Sequence, residues 1–130
     1  MTADLQKAAV IEMLERLGEA VSDGNLAGIS TSYGYPALFL SDEQVVLLES
    51  AGQVEEVFAA NRTWYLSKGI QTAKPELLRL DAISDKLVSV DVRWPGFDKD
   101  GKENYSETSH YLIHFDGAVP LIRAAASRTK

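Results

Sequence analysis

Apolar residues recur at helical spacing through the first twenty-odd positions: Leu5, Ala9, Val10, Met13, Leu14, Leu17 and Val21 share one side, and Lys7, Glu12, Glu15, Arg16 and Glu19 the other. The pattern predicts a long amphipathic helix over residues 3–23, capped by Thr2 and ended by Gly24, with an exposed Glu12/Arg16 pair one turn apart. Asn25 caps a short second helix through Ser32. The Tyr33-Gly34-Tyr35-Pro36 segment breaks it, because the residue before a proline is excluded from helical geometry. Apolar runs at 37–40 and 45–48 flank a polar turn and read as a hairpin edging the main sheet. Ser50 and Gln53 form a capping box, after which Val54, Val57, Phe58, Asn61, Trp64 and Tyr65 make one helical stripe that stops at Gly69.

Residues 71–126 then fall into four extended runs joined by turns at 84–86, 98–101 and 116–117, an antiparallel meander. Turn geometry sets which residues stand opposite each other. A loop closed by Asp98 and Lys102 places Trp94 against Ser106, Val92 against Thr108, Val90 against His110 and Val88 against Leu112. A three-residue loop at 84–86 sets Val88, Val90 and Val92 against Ala82, Leu80 and Leu78. The expected inner face therefore carries Leu78, Leu80, Val88, Val90, Val92 and Leu112, with the first and third helices packed on it. The expected outer face carries the pairs Arg79/Asp91 and Arg93/Glu107 among Leu77, Ile83, Leu87, Tyr111, Ile113 and Ile122. A two-residue turn at Asp100-Gly101 inverts the parity of the third strand and brings Glu107 inward. The outer face is too apolar for a solvated surface and too charged for a core, so it predicts a homodimer through that face.

Composition narrows the function classes. One domain over residues 1–130 accommodates the length, and 45% hydrophobic with 25% charged residues argues against disorder. A net charge of −6 and a pI near 4.8, with no basic patch, argue against nucleic acid or an anionic membrane as partner. Cysteine is absent, which removes disulfides, thiolate metal sites and cysteine nucleophiles. No basic region followed by an apolar run opens the chain, so a cytoplasmic location is the expectation.

The element order, the Tyr33-Gly34-Tyr35-Pro36 break, the Val92-Arg93-Trp94 strand and the Asp98-to-Gly101 turn resemble the nuclear transport factor 2-like superfamily, nearest its SnoaL-like and ketosteroid-isomerase-like branches. The resemblance covers essentially the whole chain. It implies an α+β fold, a cone-shaped curved antiparallel sheet wrapped against a long N-terminal helix (a cystatin-like α-β-α-β4 roll), with a cavity at the open end. Some branches run isomerase, dehydratase or cyclase chemistry there, and others only bind or assemble. Ketosteroid-isomerase-like members place a tyrosine on the first helix and carboxylates after the second helix and on an inner strand. Here the first helix has no aromatic residue, and the expected inner positions of the last two strands, from Ser106 to Arg123, include no Asp or Glu.

His110 is the candidate for proton transfer, since histidine titrates near neutral pH and the register sets it on the apolar face beside Thr108 and across from Arg123. Its alternative is a core histidine bonded to a neighbour. Arg123 offers a planar fork for a ligand carboxylate, or reaches solvent where the last strand frays. Tyr33, Tyr35, Tyr65 and Trp94 cover the open end, as ligand contacts or as packing. His110 and His114 stand about 13 Å apart along a strand, too far to share a metal ion. No nucleotide, nicotinamide or hydrolase motif occurs, so no cofactor is expected.

Three functional readings remain open. One is a binding domain for a small apolar or ring-containing molecule with a polar or anionic end, contacted by Tyr33, Tyr65, Trp94, Thr108 and Arg123. The second is a lyase or isomerase in which His110 moves a proton while Tyr33 or Arg123 stabilises oxygen charge. The third is a non-catalytic dimeric assembly module. The first two require His110 on the inner face beside a cavity.

Overall fold

The computed structural model describes residues 2–129, and the side chains of residues 2–127. The first apolar stripe forms α1 (Ala3–Asp23), the Thr2 side chain accepting from the Leu5 N–H and Gly24 turning the chain at φ 70°. A short α2 (Leu26–Ser30), capped by Asn25, leads into β1 (Tyr33–Leu40), longer at its start than the expected run, and then β2 (Val45–Leu48). After α3 (Ala51–Ser67) come a two-residue β3 (Thr72–Ala73) and the meander β4 (Glu76–Ala82), β5 (Leu87–Phe97), β6 (Glu103–Asp116) and β7 (Val119–Thr129). The sheet order is β2-β1-β7-β6-β5-β3, with β4 also paired to β5. The meander is antiparallel, and β7 returns parallel to β1, so the whole sheet is mixed, curved and open. This is the expected α+β architecture. No helix among the described residues is long and apolar enough to cross a membrane.

α1 lies across the inner face and is held near both ends by polar contacts. Buried Gln6 donates to the Ser84 and Asp85 carbonyls at 3.0 and 2.9 Å, and Ser22 both donates to the Ala73 carbonyl and accepts from the Ala73 N–H. Between them Val10, Leu14 and Leu17 pack with Val88, Val90, Val92, Ile113 and Phe115. Each such burial contributes on the order of 1.5 to 3 kcal/mol.

Three registers differ from expectation, and each differs at a bulge or irregularity. Leu80↔Val90, Ala82↔Val88 and Arg79↔Asp91 pair as expected, but Leu78 bulges out of β4, so Leu77 meets Val92 and Leu78 is 56% exposed. In β6 the turn closes as expected, with the Asp98 N–H on the Lys102 carbonyl, Gly101 at φ 79° and Phe97 opposite Glu103. The next pair is Gly96↔Tyr105, so Asn104 is an extra residue and every later position changes side. Val90 faces Tyr111 instead of His110, and Val88 faces Ile113 instead of Leu112. Arg93 stands opposite Thr108 and pairs with Glu76 and Glu103, not with Glu107. A further shift at Arg123 leaves Ile122 opposite Ile113 and Ala124 opposite Leu112. Tyr111, Ile113 and Ile122, expected outside, are buried core residues, whereas Leu112 is exposed.

Ile113→Asp and Val90→Asp should both abolish cooperative folding, because an unpaired buried carboxylate costs several kcal/mol. Leu112→Asp should fold. Urea denaturation checks this, and a cooperative Ile113→Asp beside an unfolded Leu112→Asp would restore the unbulged register.

Candidate functional site: an aromatic cavity under the third helix

On α3 only Val54 is fully buried. Val57, Phe58 and Tyr65 are half-covered, since α1 occupies the centre of the inner face and α3 spans its open side. The space left between α3, the end of α1, the β1–β2 hairpin and the inner face of β5 to β7 is a cavity of about 440 Å³. Trp94, Ser109 and Tyr111 form its buried floor, while exposed Ser41, Gln44, Asn61 and Gln71 lie at the rim. Two aromatic clusters wall it. Tyr33, Phe39 and Phe58 have ring centroids 5.7 to 6.2 Å apart, and Trp64, Tyr65 and Tyr105 have theirs 5.4 to 5.9 Å apart.

The polar groups are few. Tyr65 donates to the Glu107 carboxylate at 2.7 Å, and the Trp94 indole N–H donates to the Tyr111 hydroxyl at 2.9 Å. Glu107 has no ion-pair partner among the described residues. Arg62 is the cation on the wall, and its Nη1 donates to the Val21 and Ser22 carbonyls at the end of α1. Burial, then the Glu107 charge, pushes the Tyr65 phenol far above its usual range. Burial pushes Tyr111 up to about 12, against the pull of its hydrogen bonds from Ser109 and Trp94. Burial also raises Tyr33 well above the ordinary phenol value and raises Tyr105, which Glu107 raises further.

Of the residues singled out from sequence, Tyr33, Tyr65 and Trp94 line this cavity. Thr108, His110 and Arg123 do not. The extra residue at Asn104 turns Thr108 and His110 to the outer face, where the His110 side chain is 43% exposed. Its Nδ1 lies 2.7 Å from Asp91 and its Nε2 3.0 Å from Ser89. The His110 bond first, and Arg79 second, holds the Asp91 carboxyl below its usual range. The order Ser89, His110, Asp91 is that of an acyl-transfer triad. It sits mid-strand, where backbone N–H groups serve the ladder and leave no oxyanion donors. Arg123 lies at the β7 irregularity, its Nε donating to the Pro36 carbonyl at 2.8 Å. Tyr35 turns its hydroxyl to the Ser30 carbonyl instead of the open end. The readings that need His110 inside therefore fall as stated. The cavity itself rests on other residues.

Glu107, Ser109, Tyr105 and Tyr111 are the site residues missed. The signal for them was alternation: Tyr105, Tyr111, Ile113 and Phe115 share one parity of β6, and His110, His114 and Asp116 the other. That pattern contradicts a register taken from the turn alone.

All five tyrosines, Tyr35 included, have raised pKa values. Spectrophotometric titration of the folded protein should therefore show less than half-ionisation at the ordinary phenol value of about 10. Above that pH the unfolded chain loses protons first, so stability should fall as pH rises. Half-ionisation at pH 10 with the fold intact would contradict the burial described.

Comparison with known proteins bears on the fold and family. A structure from Nostoc punctiforme PCC 73102, a domain of unknown function with a cystatin-like fold, superposes with a TM-score of 0.77 at 13% identity, covering 100% of this chain and 80% of that one. An NTF-2 like protein of unknown function from Shewanella oneidensis MR-1 gives 0.72 at 17% identity, covering 93% and 97%. Aln2 from a Streptomyces species gives 0.75 at 12% identity, covering 99% and 93%. At these identities the likeness shows the fold alone. No curated protein sequence matches the chain. The sequence profile described as NTF2-like protein (DUF6841) matches residues 8–129, which bears out the superfamily resemblance read from element order: the chain belongs to this NTF2-like family.

Proposed function

We propose that the cavity binds a small, mainly apolar, ring-containing molecule whose polar end donates a hydrogen bond to Glu107. The observation that carries this reading is a carboxylate set in an aromatic-walled space of about 440 Å³, a volume within the range usual for small-molecule sites, about 300 to 1,000 Å³. Aromatic clusters at both ends suit a flat apolar body. The anionic ligand end expected from Arg123 loses its support, because that guanidinium lies outside the cavity and Arg62 already serves two carbonyls.

Glu107 also favours a second reading, a lyase or isomerase in which this carboxylate, in place of His110, accepts the proton. Tyr65, kept protonated by its environment, would hold that carboxylate in place through its hydroxyl.

A second copy of the chain is the proposed protein partner, through the outer face of the sheet. Leu47, Leu38, Ala124 and Leu112 form one row across β2, β1, β7 and β6, with Val45 and Leu40 paired in the row beside it. These leucines and the valine are exposed. The other half of the face carries both signs of charge in Arg79, Asp91 and Arg93, which lets a two-fold pairing match apolar to apolar and charge to opposite charge. Sedimentation at micromolar concentration should show a dimer that Leu38→Glu dissociates. A native protein that stays monomeric at high concentration removes this partner.

Both tryptophans of the chain, Trp64 and Trp94, line the cavity, so binding has an intrinsic reporter. Titration with 2-naphthol should quench their fluorescence saturably. Ala125→Phe, which fills the cavity from the inner face of β7, should weaken binding at least about tenfold with the circular dichroism spectrum unchanged. Equal affinity in a folded Ala125→Phe would sink the binding reading and leave assembly as the function.

A further inference from the structure

We infer that the cavity selects a protonated amine: its ligand carries an ammonium group at the Glu107 end of an apolar ring body. This rests on the binding reading above and adds the charge of the ligand. Three independent observations lead to it.

The first is the state of Glu107. It is half-buried, accepts from Tyr65 at 2.7 Å, lies beside Tyr105 and has no cationic partner among the described residues. A carboxylate has about four acceptor positions, so one phenol leaves most of its capacity open. The groups facing it from the elements around are Tyr65 of α3, Tyr105 of its own strand and Tyr111 on the floor, each with a raised pKa and therefore a neutral phenol. None of them competes with a ligand cation. Arg62, elsewhere on the wall, is engaged with the end of α1.

The second is the ring arrangement at this end. Trp64, Tyr65 and Tyr105 meet edge-on or tilted, with interplanar angles of 69°, 68° and 55°. All three rings line the cavity, and an aromatic ring attracts a cation held over its face within about 6 Å. The Trp64 face already holds one, with Lys68 Nζ 5.9 Å from the ring centroid. The third is the long-range field. A chain with net charge −6 draws cations and repels anions, and among the described residues the cation lining the cavity, Arg62, is engaged with backbone carbonyls.

Three probes with one ring body separate the charge from the cavity: 2-naphthylmethylamine, 2-naphthalenemethanol and 2-naphthoate, each titrated against tryptophan fluorescence at neutral pH. The amine should bind about tenfold or more tighter than the alcohol, and the carboxylate weakest. Glu107→Gln keeps an acceptor and removes the charge, so it should abolish the amine's advantage over the alcohol. On the native protein, rising salt should weaken the amine and leave the alcohol unaffected, which reads the same charge without a variant. An alcohol that binds as tightly as the amine, a carboxylate that binds tightest, or an amine affinity indifferent to salt overturns the inference and leaves the binding reading standing. If none of the three binds, both fall.

Discussion

One extra residue in β6 decides which chemistry the sheet presents to its covering helices. Between Phe97↔Glu103 and Gly96↔Tyr105 the strand accommodates Asn104 without a partner, and the parity of the remaining ladder follows. Asn104 is tied to tertiary structure, since its side-chain amide reaches the Lys68 and Gly69 carbonyls just beyond α3 at 3.5 and 3.3 Å. Carbonyls at a helix C-terminus lack intrahelical partners. The bulge that turns Glu107, Ser109 and Tyr111 inward thus also anchors the end of the helix that carries Tyr65, and the Tyr65–Glu107 bond forms between the two elements it joins.

The cavity follows from how the inner face is shared. α1 takes the centre, pinned by Gln6 at one end and Ser22 at the other, and it approaches closely enough that a side chain at Gly18 would meet Pro75 at 2.8 Å. α3 is left to span a region wider than one helix can fill. Its Val57, Phe58 and Tyr65 therefore stay half-covered, and the aromatic rings of β1 and of β6 each pack against those of α3 around the gap. Apolar surface left partly in water forfeits about 25 cal/mol per Å² of stabilisation. The tightly packed set from Val10 to Phe115 bears the stability that the cavity end gives up.

What was legible in the sequence is what local chemistry determines. Thr2, Asn25 and Ser50 cap the three helices as expected, because a cap is an interaction within four residues. The turn at Asp98 to Lys102 closes as expected, for the same reason. Val88, Val90 and Val92 face inward because β5 runs without interruption through that stretch. The facing of β6 and β7 was not legible from turns, since a bulge held by a helix end remote in sequence changes parity without changing the turn. Hence the cavity residues on β5, β1 and α3 (Trp94, Tyr33 and Tyr65) were within reach, and those on β6 were read one position off.

Glu107 and His110 show how much depends on that single position. They are three residues apart on one strand and stand on opposite faces. Inside, Glu107 meets phenols and aromatic rings in a space screened from water by α3. Outside, His110 meets Asp91 and Ser89 in a polar array beside an exposed apolar row. With Asn104 in place the strand offers an acid to the cavity and a histidine to the outer surface; a ladder without it would offer the reverse, with the carboxylate stranded among solvent-facing charges. The inward carboxylate also gives the Tyr65 phenol a partner, which a histidine at that place would supply only in one tautomer. The bulge therefore sets the polar chemistry of the cavity and the composition of the outer face together.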